Sequence, residues 1–71
     1  MSPPSRLGQA YLSPQGWLYL VVSDPWQYGQ TEAAGWRHDL VVFAAGSVHR
    51  FHRDEDTVAE LERRDDWPRL A

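Results

Sequence analysis

Two short stretches of this chain are apolar at every position. The first is Trp-Leu-Tyr-Leu-Val-Val at positions 17–22, and the second is Leu-Val-Val-Phe-Ala-Ala at positions 40–45. Because successive side chains of a β-strand point to opposite faces, each stretch would form a strand that is apolar on both sides of its sheet. Such a sheet needs a cover on each face, and the chain offers one helical segment.

The remaining segments predict a small α+β fold: an antiparallel meander of three or four strands with one C-terminal helix packed on one face. The turn Ser13-Pro14-Gln15-Gly16 would join strands over 7–12 and 17–23, since proline and glycine suit its second and fourth positions. Strands over 36–45 and 48–52 would be joined near Gly46, which we expect at positive φ.

Residues 54–64 predict the helix. Acidic residues lie in its first turn and arginines in its last turn, which is the arrangement of charges that the helix dipole favours. Val58 and Leu61 form a narrow apolar stripe. The Trp67-Pro68 pair ends the helical region, because the residue before proline avoids helical angles, and this segment would return to the sheet.

We expect Val41, Phe43 and Phe51 to pack under this helix, which leaves Leu40 and Val42 without cover. Exposing that second face would forgo about 500 Å² of burial, or about 10 kcal/mol at roughly 25 cal/mol per Å². An exposed apolar face of this kind usually marks an interface. The alternative is that the N-terminal strand and the loop from Trp26 to Trp36 wrap over it.

The chain has 71 residues, which predicts one domain over 6–71 behind a flexible tail over 1–5. It has no cysteine, so disulfides and cysteine-ligated zinc are excluded and a cytoplasmic location is expected. We find no secretory leader and no apolar run of about 20 residues, and so expect a soluble protein without membrane contact. Every basic residue is arginine, which we interpret as codon bias of a GC-rich bacterial or phage genome.

Aromatic residues gather around the predicted loop over 24–35 and one end of the sheet. Large, rigid aromatic side chains are enriched at the centres of protein interfaces, although such residues also fill cores. The sequence therefore predicts a non-catalytic protein-binding domain that docks a partner or self-associates through this set and the loop. The set is Trp17, Tyr19, Trp26, Tyr28 and Trp36.

Single-stranded nucleic acid is the alternative ligand. Basic residues flank the second apolar stretch, and beside exposed aromatics they could meet phosphates while bases stack. The net charge of -3 argues against this alternative. In a protein-binding domain the same basic residues would form the rim of the interface. They are Arg37, Arg50, His52 and Arg53.

No metal site, cofactor or reaction is predicted. His49 and His52 would point to opposite faces of a strand, and we expect the histidines to be solvated at strand edges. The serines occupy turn-like positions, and no nucleophile or phosphate-binding motif is present. Three successive acids at 54–56 are explained by the start of the helix.

The pattern from Pro25-Trp26 to Gly35-Trp36, with a late Trp67, resembles the middle of the MbtH-like proteins. That resemblance implies a tryptophan-rich three-stranded sheet and helix that binds an adenylation enzyme. It covers about a sixth of the chain. The polar stretch expected before Trp26 is absent and the hairpin after Trp36 is about ten residues longer than the family allows, so we assign no family.

Overall fold

The described part of the chain, residues 2–29 and 35–71 of a computed structural model, confirms the predicted antiparallel sheet with one C-terminal helix. The elements are β1 Ala10–Leu12, β2 Leu18–Val21, β3 Trp26–Gln27, β4 Trp36–Ala44, β5 Ser47–Asp54 and α1 Glu55–Leu61. The predicted loop over 24–35 contributes β3, a fifth strand that is too short to produce an apolar period. Residues 30–34 of that loop lie outside the described residues.

β4 is the central strand of the sheet. β5 pairs with one side of β4 over the whole length of β5. On the other side, β2 pairs with residues 40–43 and β3 with residues 36–37. β1 extends the sheet beyond β2, and all pairs are antiparallel. The predicted turn before β2 is confirmed, since the amide of Gly16 donates to the carbonyl of Ser13 at 2.9 Å.

The turn between β4 and β5 sets the register of the hairpin. Ala45 and Gly46 both have positive φ, at 46° and 82°, which is typical of a two-residue type I′ turn. Ala44 therefore pairs with Ser47, and the pairing continues without a bulge to the end of β5. The predicted positive φ of Gly46 is confirmed.

This register decides which side chains face the helix. Phe51 lies opposite Leu40, and residues opposite each other share a face of the sheet. The expectation that Val41 and Phe43 pack under α1 with Phe51 is therefore wrong, because they point the other way. The side under α1, which we call the helix face, has Tyr11, Val21, Leu40 and Val58 as its buried core, with Tyr19, Phe51, Leu61 and Trp67 packed around them.

α1 begins directly after β5 and is shorter than predicted. Asp54 is extended at φ -68° and ψ 157°, and its carboxylate accepts a hydrogen bond from the Thr57 hydroxyl at 2.6 Å. After Leu61 the amides of residues 62–64 donate to carbonyls three residues earlier, so the last turn tightens. Val58 is the buried residue of α1, and the stripe is narrow as expected.

The C-terminal residues close the outer edge of β1. The amide of Leu12 donates to the carbonyl of Pro68 at 3.0 Å, and the amide of Leu70 donates to the carbonyl of Ala10 at 2.7 Å. The predicted return of the C-terminus to the sheet is thus confirmed. β5 forms the opposite edge, and no described residue pairs with its outer side.

Candidate functional site

The side of the sheet opposite α1 carries a continuous apolar surface. Leu20 pairs with Val41, Leu18 pairs with Phe43, and Phe43 pairs in turn with Val48. These five side chains share one side of the sheet, which we call the open face. Phe43 is 43% exposed and Val48 is 63% exposed.

The described segments that pack across the sheet lie on its helix face. α1 contacts β4 and β5 there, Trp67 packs against Tyr19 with ring centroids 5.0 Å apart, and Arg6 binds the carboxylate of Glu55 in α1. With strands about 4.8 Å apart and about 3.3 Å per residue, the five apolar side chains of the open face cover about 160 Å². A patch of that size is smaller than the largest one on an ordinary monomer.

Four side chains continue the open face toward β3, and we call them the aromatic–arginine cluster: Trp26, Tyr28, Arg37 and His52. The ring centroid of Trp26 lies 6.0 Å from that of Tyr28 and 5.3 Å from that of His52. The guanidinium of Arg37 lies 4.4 Å from the centroid of Tyr28 and donates to Nδ1 of His52 at 3.0 Å. Tyr28 is still 51% exposed, so the cluster presents a fixed aromatic surface to solvent.

Asp39 links the cluster to β5. Its Oδ1 accepts a hydrogen bond from the indole nitrogen of Trp26 at 3.0 Å, and its Oδ2 accepts one from Arg50 at 2.8 Å. The bond from Arg50 lowers the pKa of Asp39 below its ordinary value; burial opposes this, and the bond from Trp26 adds to it. Asp39 therefore stays ionised and fixes the orientation of the Trp26 ring.

The structure divides the five predicted aromatic residues among different places. Trp26 and Tyr28 lie together in the aromatic–arginine cluster. Tyr19 belongs to the helix face, where it packs against Phe51 and Trp67.

The other two tryptophans lie apart from this cluster. Trp36 pairs with Gln27 on the side of the sheet opposite Trp26, and Trp17 precedes β2 at 38% exposure. Two of the five predicted aromatic residues therefore share a surface with the open face.

The predicted rim residues also divide between the two sides. Arg37 and His52 belong to the aromatic–arginine cluster, and Arg50, opposite Val41, lies at the edge of the open face. Arg53 lies on the helix face, where its guanidinium is 4.8 Å from the centroid of Phe51. Three of the four predicted rim residues thus surround one surface.

A buried histidine on the helix face was not expected from the sequence. His38 is fully buried, so the expectation of a solvated histidine is wrong at this position. Its Nε2 is hydrogen-bonded to Glu55, and its Nδ1 has no hydrogen-bond partner among the described residues. The alternation from Leu40 and Val42 back to residue 38 is the signal that places this side chain inside.

Glu55 and Glu62 connect the buried histidine to the N-terminal segment. Arg6 donates to Glu55 at 3.0 Å and to Glu62 at 2.6 Å. Tyr11 donates to Gln9 at 2.7 Å, and burial, assisted by the charge of Glu62, raises the pKa of Tyr11 above its ordinary value. These hydrogen bonds and ion pairs hold residues 6–11 against α1.

The exposed surfaces offer contacts for binding. Within residues 2–29 and 35–71, no three histidine, cysteine or acidic side chains are grouped so that they could hold a metal ion. The pair of His38 and Glu55 lies where a reactant does not reach the histidine, because His38 has 0% exposure. The open face and the aromatic–arginine cluster can supply apolar contact, ring stacking and guanidinium contacts.

Comparisons with known proteins add no relationship. No protein-family model, no curated protein and no solved structure matches the chain. No helix in the described ranges is long and apolar enough to cross a membrane.

Proposed function

We propose that the protein is a small non-catalytic binding domain that docks a protein surface, on a partner or on a second copy of itself, through the open face and the aromatic–arginine cluster. The observation that carries this proposal is the apolar surface of β2, β4 and β5 opposite α1, with Phe43 and Val48 exposed. The absence of cysteine supports a cytoplasmic setting for this role.

The size of the surface supports a small contact with one protein patch. The 26 residues of the five strands, at about 3.3 Å per residue and about 4.8 Å between strands, give the whole face about 400 Å², or about 800 Å² for two partners together. Stable specific interfaces bury about 1,200 to 2,000 Å² in total, and weak or transient ones bury less. The open face and the aromatic–arginine cluster together therefore have the size of a weak or transient interface.

The chemistry of the surface supports an apolar centre with a polar border. Trp26 and Tyr28 are held by ring contacts and by the bond to Asp39, so little side-chain entropy remains to be lost on binding. Arg50 is paired with Asp39, and Arg37 is paired with His52. Docking would desolvate Arg50 together with its carboxylate partner, which lowers the cost for that charge, whereas the imidazole of His52 does not cancel the charge of Arg37.

The observation that favours single-stranded nucleic acid is the stacking of Arg37 on Tyr28 beside Arg50. Bases could stack on Tyr28 while the arginines meet phosphates. Arg50 already has a carboxylate partner, and the net charge is -3. If this function holds, binding of oligothymidylate falls steeply between about 50 and 200 mM salt; protein docking through the open face predicts no such binding.

The test is sedimentation velocity of the purified chain over a wide concentration range, with binding of an apolar-surface dye measured in parallel. The proposal predicts self-association, or a monomer that binds the dye until a partner occupies the face. Tyr28→Ala should weaken association and leave the urea midpoint nearly unchanged, because Tyr28 is half exposed. Trp17→Ala is the matched control, since Trp17 is exposed outside the cluster.

A monomer whose open face is already covered would contradict this proposal. A stable monomer at millimolar concentration without dye binding would mean that the face is covered within one molecule. Trp26→Ala separates the two cases further: loss of association with a retained fold supports docking. Unfolding of the monomer would make Trp26 a core residue instead.

A further inference from the structure

The outer edge of β5 presents backbone groups that no described residue binds. The amide of Val22 donates to the carbonyl of Asp39 at 2.9 Å, so the backbone groups of Asp39 face β2. Backbone direction alternates along a strand, and hence those of Leu40 face β5 and bond to Phe51. The next residues along β5, Arg50 and His52, therefore direct their amides and carbonyls away from the sheet, as does Val48.

This edge differs from the opposite one in its exposure. The edge of β1 is covered by residues 68–71, whereas β5 is an eight-residue strand whose outer side is unpaired in the described structure. The carbonyl of His52 accepts a hydrogen bond from Arg53 at 2.9 Å. The outward groups of Val48 and Arg50 have no such bond among the described residues, and they form a template for one more strand.

A groove on the helix face lies beside this edge. It has a volume of about 440 Å³, within the range of small ligand sites. Its floor is Leu40 and Val42, and Phe51 lies on the β5 side. The groove is bordered further by Arg53 of β5, by Val58 and Leu61 of α1, and by Trp67. A strand added about 4.8 Å outside β5 would direct alternate side chains toward Phe51 and the groove.

The edge is basic, which selects its occupant. β5 carries Arg50 and Arg53 together with His49 and His52, and its one acidic residue, Asp54, lies at its end. Arg50 is paired with Asp39, so Arg53 is the arginine of this edge that is open to a new carboxylate. The Arg53 guanidinium contacts Phe51 and a carbonyl, and no carboxylate partner for it lies in the described residues. Pairing of β5 with the same strand of a second copy would bring these basic side chains together, and like charges opposite each other destabilise a sheet. An acidic strand meets no such repulsion.

We propose that the β5 edge binds an extended acidic segment of a partner protein by strand addition, with one large apolar side chain of the segment seated at the groove beside Phe51. Backbone bonds to Val48 and Arg50 supply affinity, while the groove and Arg53 supply selectivity. This site uses the outward backbone groups of Val48 and Arg50, whereas the open face uses the side chain of Val48, and either can exist without the other.

The test uses a blocked nine-residue peptide with valine at even positions, phenylalanine at the centre and glutamate at the other odd positions. Its titration into the labelled full chain is followed by amide NMR shifts. We expect the largest shifts, with slowed amide exchange, along β5 at Val48 and Arg50. The same peptide with lysine for glutamate should bind at least tenfold more weakly.

Val48→Pro removes one outward amide, and proline is tolerated at an edge position whose amide faces solvent. We expect it to weaken peptide binding at least tenfold, while the matched Val48→Ala changes it less than threefold. Arg53→Gln should weaken binding by about fivefold and reduce its salt dependence.

A second measurement leaves the protein unchanged. Two versions of the peptide, N-methylated at odd or at even positions, should differ, because one edge of the added strand pairs with β5. Equal binding of the two methylated peptides, or of the Val48→Pro and Val48→Ala variants, would overturn the proposal. So would absence of binding at 1 mM peptide, shifts confined to the open face, or self-association that Val48→Pro abolishes and Val48→Ala does not.

Discussion

Replacing Phe43 by threonine tests the docking role of the open face. Threonine is β-branched and therefore suits a strand, and the substitution removes the ring. Phe43 lies at the end of the β2–β4 pairing, opposite Leu18, and it is 43% exposed in the isolated chain. Docking would bury that exposed part.

The expected loss follows from the exposed area. A phenylalanine presents roughly 200 Å², so 43% exposure leaves about 85 Å² for docking. At about 25 cal/mol per Å² this area contributes about 2 kcal/mol, or about 30-fold in dissociation constant. A symmetric dimer buries two such rings, which makes the expected effect about 1,000-fold. Loss of the part of Phe43 that folding already buries should lower the free energy of unfolding of the variant by a similar amount.

Sedimentation equilibrium measures the dissociation constant, and urea unfolding checks that the variant remains folded. Leu7→Ser is the control, because Leu7 is 55% exposed but lies outside the open face. It should leave association unchanged. If Phe43→Thr and Leu7→Ser associate equally well with the same surface, the open face is not the docking surface and the energy argument fails.

Three further predictions concern the fold itself. Ala45→Gly should raise the free energy of unfolding by about 0.5 kcal/mol in urea melts. Alanine is strained at φ 46°, and relief of this strain outweighs the larger backbone entropy that glycine loses on folding. A lower free energy of unfolding would contradict the positive φ of this turn. Val58→Ala should cost about 2 kcal/mol, since the side chain is 1% exposed and its methyl groups leave a gap under α1; a cost under about 0.5 kcal/mol would mean that α1 does not anchor the core. The pKa of Asp39 is lowered by Arg50, so its contribution to stability is complete above the ordinary value of 3.8 and is lost as the pH falls through the lower folded value. Asp39→Asn should therefore make the urea midpoint less dependent on pH between about pH 5 and about pH 2. An unchanged dependence on pH would refute the pairing of Asp39 with Arg50.

The strands and the helix were predictable because their signals are strong and local. Both apolar stretches became paired strands, the acidic start at Asp54 marked the helix, and proline and glycine marked the first turn. These features depend on residues within a few positions of each other. The α+β class followed from them directly.

The prediction of which β4 side chains lie under the helix was wrong because it depends on the register that one turn sets. Phe43 and Val41 were expected under the helix with Phe51, whereas the two-residue turn at Ala45 and Gly46 puts Leu40 opposite Phe51. A shift of one residue exchanges the two sides of a strand. Counting back from a two-residue turn would have given the right faces, but Ala-Gly is a weaker signal for that turn than Asn-Gly.

The site was predictable in composition and not in arrangement. Trp26 and Tyr28 were expected at a surface, and they lie together with Arg37. β3 was hidden because two residues have no recognisable period, and the burial of His38 depends on a contact with Glu55 across the fold. The cover on the edge of β1 likewise depends on residues at opposite ends of the chain.

The most direct test is solvent accessibility of methyl groups, measured by NMR with a soluble paramagnetic gadolinium chelate. At a dilution where the chain sediments as a monomer, the methyl signals of Leu20 and Val41 should broaden strongly, while those of Val21 and Val58 should stay sharp. Raising the concentration, or adding a partner, should then protect Leu20 and Val41. Equal protection of all four in the monomer would show that both sides of the sheet are covered within one molecule, and it would contradict the docking surface.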